Sequence, residues 1–319
     1  MMNKWQTGIA THQGTKKDKN EDSHLYLITE DHKGNEIALF VVADGMGGYQ
    51  VGDMASQIAI TTIQLWWEKR INKIVKKRNP IESILDEADN VLKKINQTII
   101  ATSNHNGKKM GTTVSLLVLY KGEYVVIHVG DSRIYQMKDW HYGLQQYFHN
   151  THGANPESFP ILDEQNTEIL ESDPKLLKLT EDHSWVEKQV RDRKLTVEQA
   201  RNHPKRNVLT QCLGIEETVK PFLQSGKYQS SDLFLVCSDG FHTLFSNDEI
   251  KNMLTDLEKE YANLQTICDY LINFSNFSEA NDNITLMLIR NIYVENKQKK
   301  DSNSILSLLN FRKKNLFSK

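Results

Sequence analysis

Short apolar runs alternate with longer stretches of helical spacing along the first half of the chain. Residues 25–28 and 37–42 are strand-sized and apolar, and the polar group Asp31, Lys33, Gly34 and Asn35 between them predicts a turn joining neighbouring strands. Beyond Asp44 the glycine-rich stretch 45–48 predicts another turn, followed by a helix over about 53–77. A second helix has a start signal: Asn79 as N-cap, Pro80 at the first helical position and Glu82 three residues after the cap. Its apolar positions, Ile81, Ile84, Leu85, Ala88, Leu92, Ile95 and Ile99, recur at helical spacing, and Asn106-Gly107 predicts its end. Three β-rich runs follow at 112–120, 124–129 and 133–137, the first two joined by a tight turn at Lys121, Gly122 and Glu123. The pattern then lapses over about 140–178, a polar stretch with prolines at 156, 160 and 174, which predicts a surface insertion. A helix over 185–201, a strand over 233–237, a helix over about 248–273 and a last strand over 284–289 complete the pattern.

Beyond Asn296 the composition shifts. Residues 297–319 are basic, with Asp301 the single acid, and interleave Ile305, Leu306, Leu308, Leu309 and Phe311. Such a segment suits a loosely ordered tail, or an amphipathic helix that docks on a partner or an anionic lipid surface. No internal repeat is present.

The 319 residues are enough for one large domain with a substantial core. Hydrophobic residues make up 39% and charged residues 25%, the balance of a globular protein in water. A net charge of -2 argues against a nucleic-acid partner. Cys212, Cys237 and Cys268 are odd in number and far apart, which disfavours a disulfide framework or a thiolate zinc site. That usage, with no apolar stretch long enough to span a bilayer and no signal-like N-terminus, points to the cytoplasm.

One arrangement then recurs. A hydrophobic strand runs into an aspartate beside glycine at Asp44-Gly45, at Gly130-Asp131 and at Asp239-Gly240. Asp282 precedes the last strand, and Glu21 and Asp22 precede the first of the two opening strands. Any one Asp-Gly is ordinarily a turn. Several at strand ends in one sheet-rich domain gather carboxylates that repel one another and call for positive charge. No matching set of lysines or arginines accompanies them, whereas Mg²⁺ or Mn²⁺ suits an oxygen-only donor set.

These residues carry a resemblance. The blocks 14–22 (with Lys17, Asn20, Glu21 and Asp22), 42–48 (Val-Ala-Asp-Gly-Met-Gly-Gly), 110–113 (Met-Gly-Thr-Thr) and 130–133 (Gly-Asp-Ser-Arg) come in order. They are followed by 179–184, 207–210, 238–240 (Ser-Asp-Gly) and 282–285 (Asp-Asn-Ile-Thr). Together they resemble the metal-dependent, type-2C serine/threonine protein phosphatases in their bacterial branch, over about residues 8–290. The resemblance implies an α+β, four-layer α-β-β-α sandwich, with two central antiparallel sheets flanked by helices. It implies a catalytic domain over 1–295, with a flap over about 182–214 and the basic tail after it. It also implies two catalytic Mn²⁺ or Mg²⁺ ions: Asp44 bridging them, the Gly45 carbonyl on one, Asp239 and Asp282 on the other, and Glu21 and Asp22 acting through waters. Asp131, with Asp239, matches the third-metal site of bacterial members. The implied reaction is hydrolysis of phosphoserine and phosphothreonine on proteins by a metal-activated water, opposing a serine/threonine kinase.

Lys17 stands where the family has a phosphate-gripping arginine; it keeps the charge without the bidentate fork, and Lys16 is an alternative cation. Met46 replaces the histidine that animal members carry as a proposed proton donor, as is common in bacterial ones. Cys237 reads as a buried strand residue, Arg133 as a structural ion-pair partner, and Trp66 and Trp67 as core or interface. His183 reads as a cap of the flap helix. A catalytically inactive binding or regulatory module is the alternative from another class, disfavoured because the metal acids are all present. A specialised regulator acting on one phosphorylated partner is a third reading.

Overall fold

The apolar runs form two five-stranded antiparallel sheets. The computed structural model describes residues 2–47, 51–138, 174–278 and 280–294. In spatial order the first sheet holds β1 (Met2–His12), β12 (Ile284–Val294), β11 (Leu233–Cys237), β8 (Arg133–Lys138) and β9 (Lys175–Lys178). The second holds β10 (Phe222–Lys227), β7 (Glu123–Val129), β6 (Val114–Tyr120), β3 (Glu36–Ala43) and β2 (Ser23–Glu30). A two-stranded ladder pairs β4 (Gly45–Gly47) with β5 (Met110–Thr112).

The sheets meet through Ala38, Phe40, Val42, Leu117, Leu119 and Val126 on one side and Ile134, Phe234, Val236, Met287 and Ile289 on the other. Outside the second sheet lie α1 (Gly52–Ile74) and α2 (Pro80–Asn106), which bury Ile63, Trp67, Ile71, Ile84, Leu92, Ile95 and Ile99 against it. Between the sheets in sequence come α3 (Trp185–Arg191) and α4 (Val197–Arg201), both short. After β11 come α5 (Asp239–His242), α6 (Asn247–Glu260) and α7 (Leu264–Phe277); α6 and α7 cover the first sheet with Ile250, Leu254, Ile267 and Leu271. This is the four-layer sandwich expected. Because both faces of β3 and β6 are covered, their strands read as unbroken apolar runs and are buried throughout 37–43 and 114–120.

Several local expectations need correction. The 45–48 turn is instead a short strand over its first three residues, paired with β5. Asn79 does precede α2, but its side chain caps no backbone amide and donates to the Glu82 carboxylate at 3.0 Å. The single helix expected over 185–201 is two, because Thr196 opens a new capping box with Gln199. The 248–273 helix likewise breaks where Tyr261 turns extended and Asn263 caps α7. The expected insertion, about 140–178, overreaches at its end: 175–178 is strand β9, on the edge of the first sheet. The rest of the insertion and the basic tail lie outside the described residues. β1 and β10, polar by composition, carry too little apolar signal to be read as strands. Among the described residues, no helix is long and apolar enough to cross a membrane.

Candidate metal centre

Register brings the acids to one end of the sandwich. Ser23 pairs with Ala43, so Asp22 at the start of β2 lies beside Asp44 at the end of β3. Val114 pairs with Val129, placing the Gly130-Asp131 turn next to Thr113, and the Thr113 amide donates to the Asp44 carbonyl at 2.9 Å. In the other sheet Cys237 pairs with both Leu286 and Arg133, so Asp239 follows the strand flanked by those carrying Asp282 and Asp131. Ser238 Oγ donates to Asp22 Oδ2 at 2.8 Å, a tie between the two sheets. Asp22, Asp44, Asp131, Asp239 and Asp282 are all half-buried there.

Their mutual repulsion is legible in their protonation. Loss of solvent, then the charges of Asp239 and Asp282, pushes Asp22 up to about 7. Asp239 is pushed up to about 6, by burial and then by Asp282. Asp44 is held well above the carboxylate range by burial and by Asp22, Asp239, Asp131 and Asp282 together. Asp131 is raised in the same way by burial, Asp239 and Asp182. Lys17 Nζ sits 2.6 Å from Asp282 Oδ1 at the rim, with both side chains 41% exposed. Partial burial works against the Lys17 charge, but Asp282, Asp44 and Glu21 outweigh it and raise its pKa.

Glu21 has a different place. Its Oε1 accepts from the Gly52 amide at 2.7 Å, at the positive end of α1, and its own amide donates to Asn283 Oδ1 at 2.9 Å. Gly45 lies where a Cβ would stand 2.2 Å from the Gly52 carbonyl oxygen and 2.5 Å from that of Glu21, so only glycine lets these segments meet.

Two residues given no role in the sequence reading hold the acid loops. Asn283 Nδ2 donates to the carbonyls of Gln13 and Lys19, both at 2.9 Å, fixing the loop that presents Lys17. Thr113 Oγ1 accepts from the Asp44 amide at 2.9 Å and meets Ser132 Oγ at 2.8 Å. Both lie inside the recurring blocks, the only sequence signal that points to them. Arg133 forks onto Asp182 with contacts of 2.6, 3.0 and 3.1 Å, the structural ion pair expected. His183 does not cap α3: Ser184 does, accepting from the Glu187 amide, while His183 Nδ1 accepts from the Gly130 amide at 3.2 Å. Cys237 is buried in β11 and its thiol is pushed far up by burial, which removes it as a nucleophile.

The donor set fits a hard divalent cation. Asp22 Oδ1 and Asp239 Oδ1 are buried without a hydrogen-bond partner, an arrangement that calls for a cation. Among the described residues, the side chains that raise one another's pKa here are carboxylates, oxygen donors that suit a hard cation. Among the described residues, no group of three or more His, Cys, Asp or Glu side chains is already placed to hold a metal ion.

Carboxylates gathered at one end of a four-layer α-β-β-α sandwich define the class of fold and the place of its candidate site. The family model for Protein phosphatase 2C matches residues 11–287, and the chain belongs to that family. It is 28% identical over 283 residues to the serine/threonine phosphatase stp of Listeria welshimeri, covering 88% of this chain and 94% of that one. The solved serine/threonine phosphatase of S. agalactiae aligns with a TM-score of 0.69 and 26% identity, over 90% of this chain and 99% of that chain. A catalytic domain of PstP solved in complex with two manganese ions shares the fold, with a TM-score of 0.65 and 21% identity over 91% of this chain and 100% of that chain.

Proposed function

We propose that the chain is a metal-dependent protein phosphatase that hydrolyses phosphoserine and phosphothreonine on other proteins. The observation that carries this reading is the meeting of five aspartates from both sheets at one rim, with unpartnered buried oxygens on Asp22 and Asp239. Asp44, Asp239 and Asp282, with the Gly45 carbonyl, would hold a pair of Mn²⁺ or Mg²⁺ ions, Glu21 and Asp22 acting at one remove. Asp131 with Asp239 would take a third. When bound, such ions supply positive charge to phosphoryl oxygens and lower the pKa of water.

The residues themselves do the rest. Burial and mutual repulsion raise the proton affinity of Asp44 and Asp239, and a bound cation would offset that and favour their ionised forms. Lys17 leaves Asp282 to meet a phosphoryl oxygen, which places the phosphorus over the acids. A water oxygen bonds to phosphorus as the ester P–O bond breaks, and one proton of that water ends on the departing serine or threonine oxygen, giving the free hydroxyl and inorganic phosphate. Asn283 and Thr113 keep the Lys17 and Asp44 loops in place throughout.

The domain reading proposed with it is a catalytic domain over 1–295, the 182–214 segment as a flap beside the cleft, and a basic tail over 296–319 for docking on a partner or an anionic lipid surface. A cognate serine/threonine kinase would supply the substrate, and three buried free thiols suit a reducing cytoplasm. The test is phosphate release from a phosphothreonine peptide with Mn²⁺, Mg²⁺ or excess chelator, beside Asp239→Asn. Release that needs a metal and is lost in the variant supports the proposal. A folded, inactive native chain with either metal would instead support a binding module.

A further inference from the structure

Three buried or half-buried histidines close around the two-residue turn that carries Asp131. His242 is the last residue of α5, the helix that Asp239 begins, and its Nε2 lies 2.9 Å from the Asp131 carbonyl oxygen. A carbonyl only accepts, so this ring nitrogen carries the proton and donates. Gly130 is held from the other side. Its carbonyl oxygen lies 2.9 Å from His128 Nε2 and accepts from the His183 amide at 2.6 Å, while its own amide donates to His183 Nδ1. His128 and His183 pack ring against ring, with centroids 5.3 Å apart. Gly130 itself has φ +113°, and a Cβ there would stand 2.4 Å from the Thr113 side chain, so only glycine fits this turn.

The bland reading is three satisfied core histidines. What argues beyond it is where their bonds go. Groups from β7, two residues away, from the segment before α3, 53 residues away, and from α5, 111 residues from Asp131, converge on the main chain of one turn. One of them, His242, spans the gap between the two acids. Asp131 and Asp239 flank the ends of paired strands β8 and β11, so ionised carboxylates there repel. The His242 bond runs across that gap, from the helix begun by Asp239 to the main chain of Asp131.

We propose that His242 is a positioning residue that braces Asp131 against Asp239, with His128 and His183 clamping Gly130 behind it. It touches no reacting atom and acts through the Asp131 backbone on the cation site these two acids share. The inference rests on the metal-dependent reading above.

The experiment compares the full native chain with His242→Leu, which keeps bulk without a donor, and His242→Gln, which returns an amide N–H at similar reach. Each is titrated with Mn²⁺ by calorimetry, melted in chelator, and assayed for kcat and KM on a phosphothreonine peptide. The expected result is that His242→Leu weakens the weakest class of Mn²⁺ binding by about tenfold and leaves tighter binding unchanged. Its kcat falls while its KM stays within about twofold, and His242→Gln recovers most of both losses. A folded His242→Leu chain with the native isotherm overturns the proposal. So does a glutamine variant as impaired as the leucine one, with equal losses of Tm, since that marks a space-filling role. A native chain that takes up no Mn²⁺ overturns the metal reading itself, and the brace with it.

Discussion

Replacing Lys17 separates its two candidate roles, because geometry sets different magnitudes for each. Its ammonium lies 2.6 Å from Asp282 Oδ1, but both side chains are 41% exposed. Solvent screening leaves such a pair worth about 0–1 kcal/mol, so Lys17→Gln is expected to move Tm by no more than about 2–4 °C. A charge-assisted hydrogen bond to a phosphoryl oxygen is worth about 1.5–3 kcal/mol. At about 1.4 kcal/mol per factor of ten, Lys17→Gln should lower kcat/KM on a phosphothreonine peptide by about 10- to 150-fold. Lys17→Arg restores the charge and adds the planar fork, so its KM should fall below that of the native chain. Steady-state phosphate release, with melting curves of all three chains, makes the measurement. Native kcat/KM in a folded Lys17→Gln chain would refute the phosphate role, as would an arginine variant whose KM is unchanged or higher.

Other outcomes follow from the same structure. In chelator, Asp22 and Asp239 keep their protons to about 7 and about 6 in the folded state, whereas the unfolded chain loses them near the ordinary carboxylate value. The folded state then binds more protons, so stability is full below about pH 4 for this term and falls as pH rises toward 7. Melting curves across that window should show Tm declining, and Asp22→Asn or Asp239→Asn should flatten the decline; an equally steep slope in both variants would reject the assignment. Arg290 and Glu258 are each 1% exposed and joined at 2.9 Å, so Arg290→Met strands a buried carboxylate. The expected cost is about 3–5 kcal/mol, a Tm loss on the order of 10 °C by scanning fluorimetry; a loss under about 2 °C would contradict it. Deleting residues 297–319 should leave release from a short phosphopeptide unchanged and slow release from a phosphorylated protein partner. Equal effects on both would remove the tail as a docking element.

The sequence by itself determined the strands that are buried on both faces and the acids that follow them. An unbroken apolar run such as 37–43 can only be satisfied between two layers, and the aspartate after it, Asp44, can only sit at a sheet's end. The recurring blocks did the same for Lys17, Asp44, Asp131, Asp239 and Asp282. Tertiary structure alone decided the rest. β1 and β10 are strands because neighbouring strands take their backbone hydrogen bonds, not because their own residues are apolar. Glu21 turns its carboxylate to the Gly52 amide because α1 begins there, although in sequence it is one more acid beside Asp22. His183 looks like a cap by position, yet the fold hands the cap to Ser184 and sets the imidazole against Gly130. Residue type fixes what a side chain can bond, but packing chooses its partner from elements 31, 53 or 111 residues away. His242, 111 residues from Asp131, is the clearest case: no local pattern encodes a bond that exists only when β11 and β8 lie side by side.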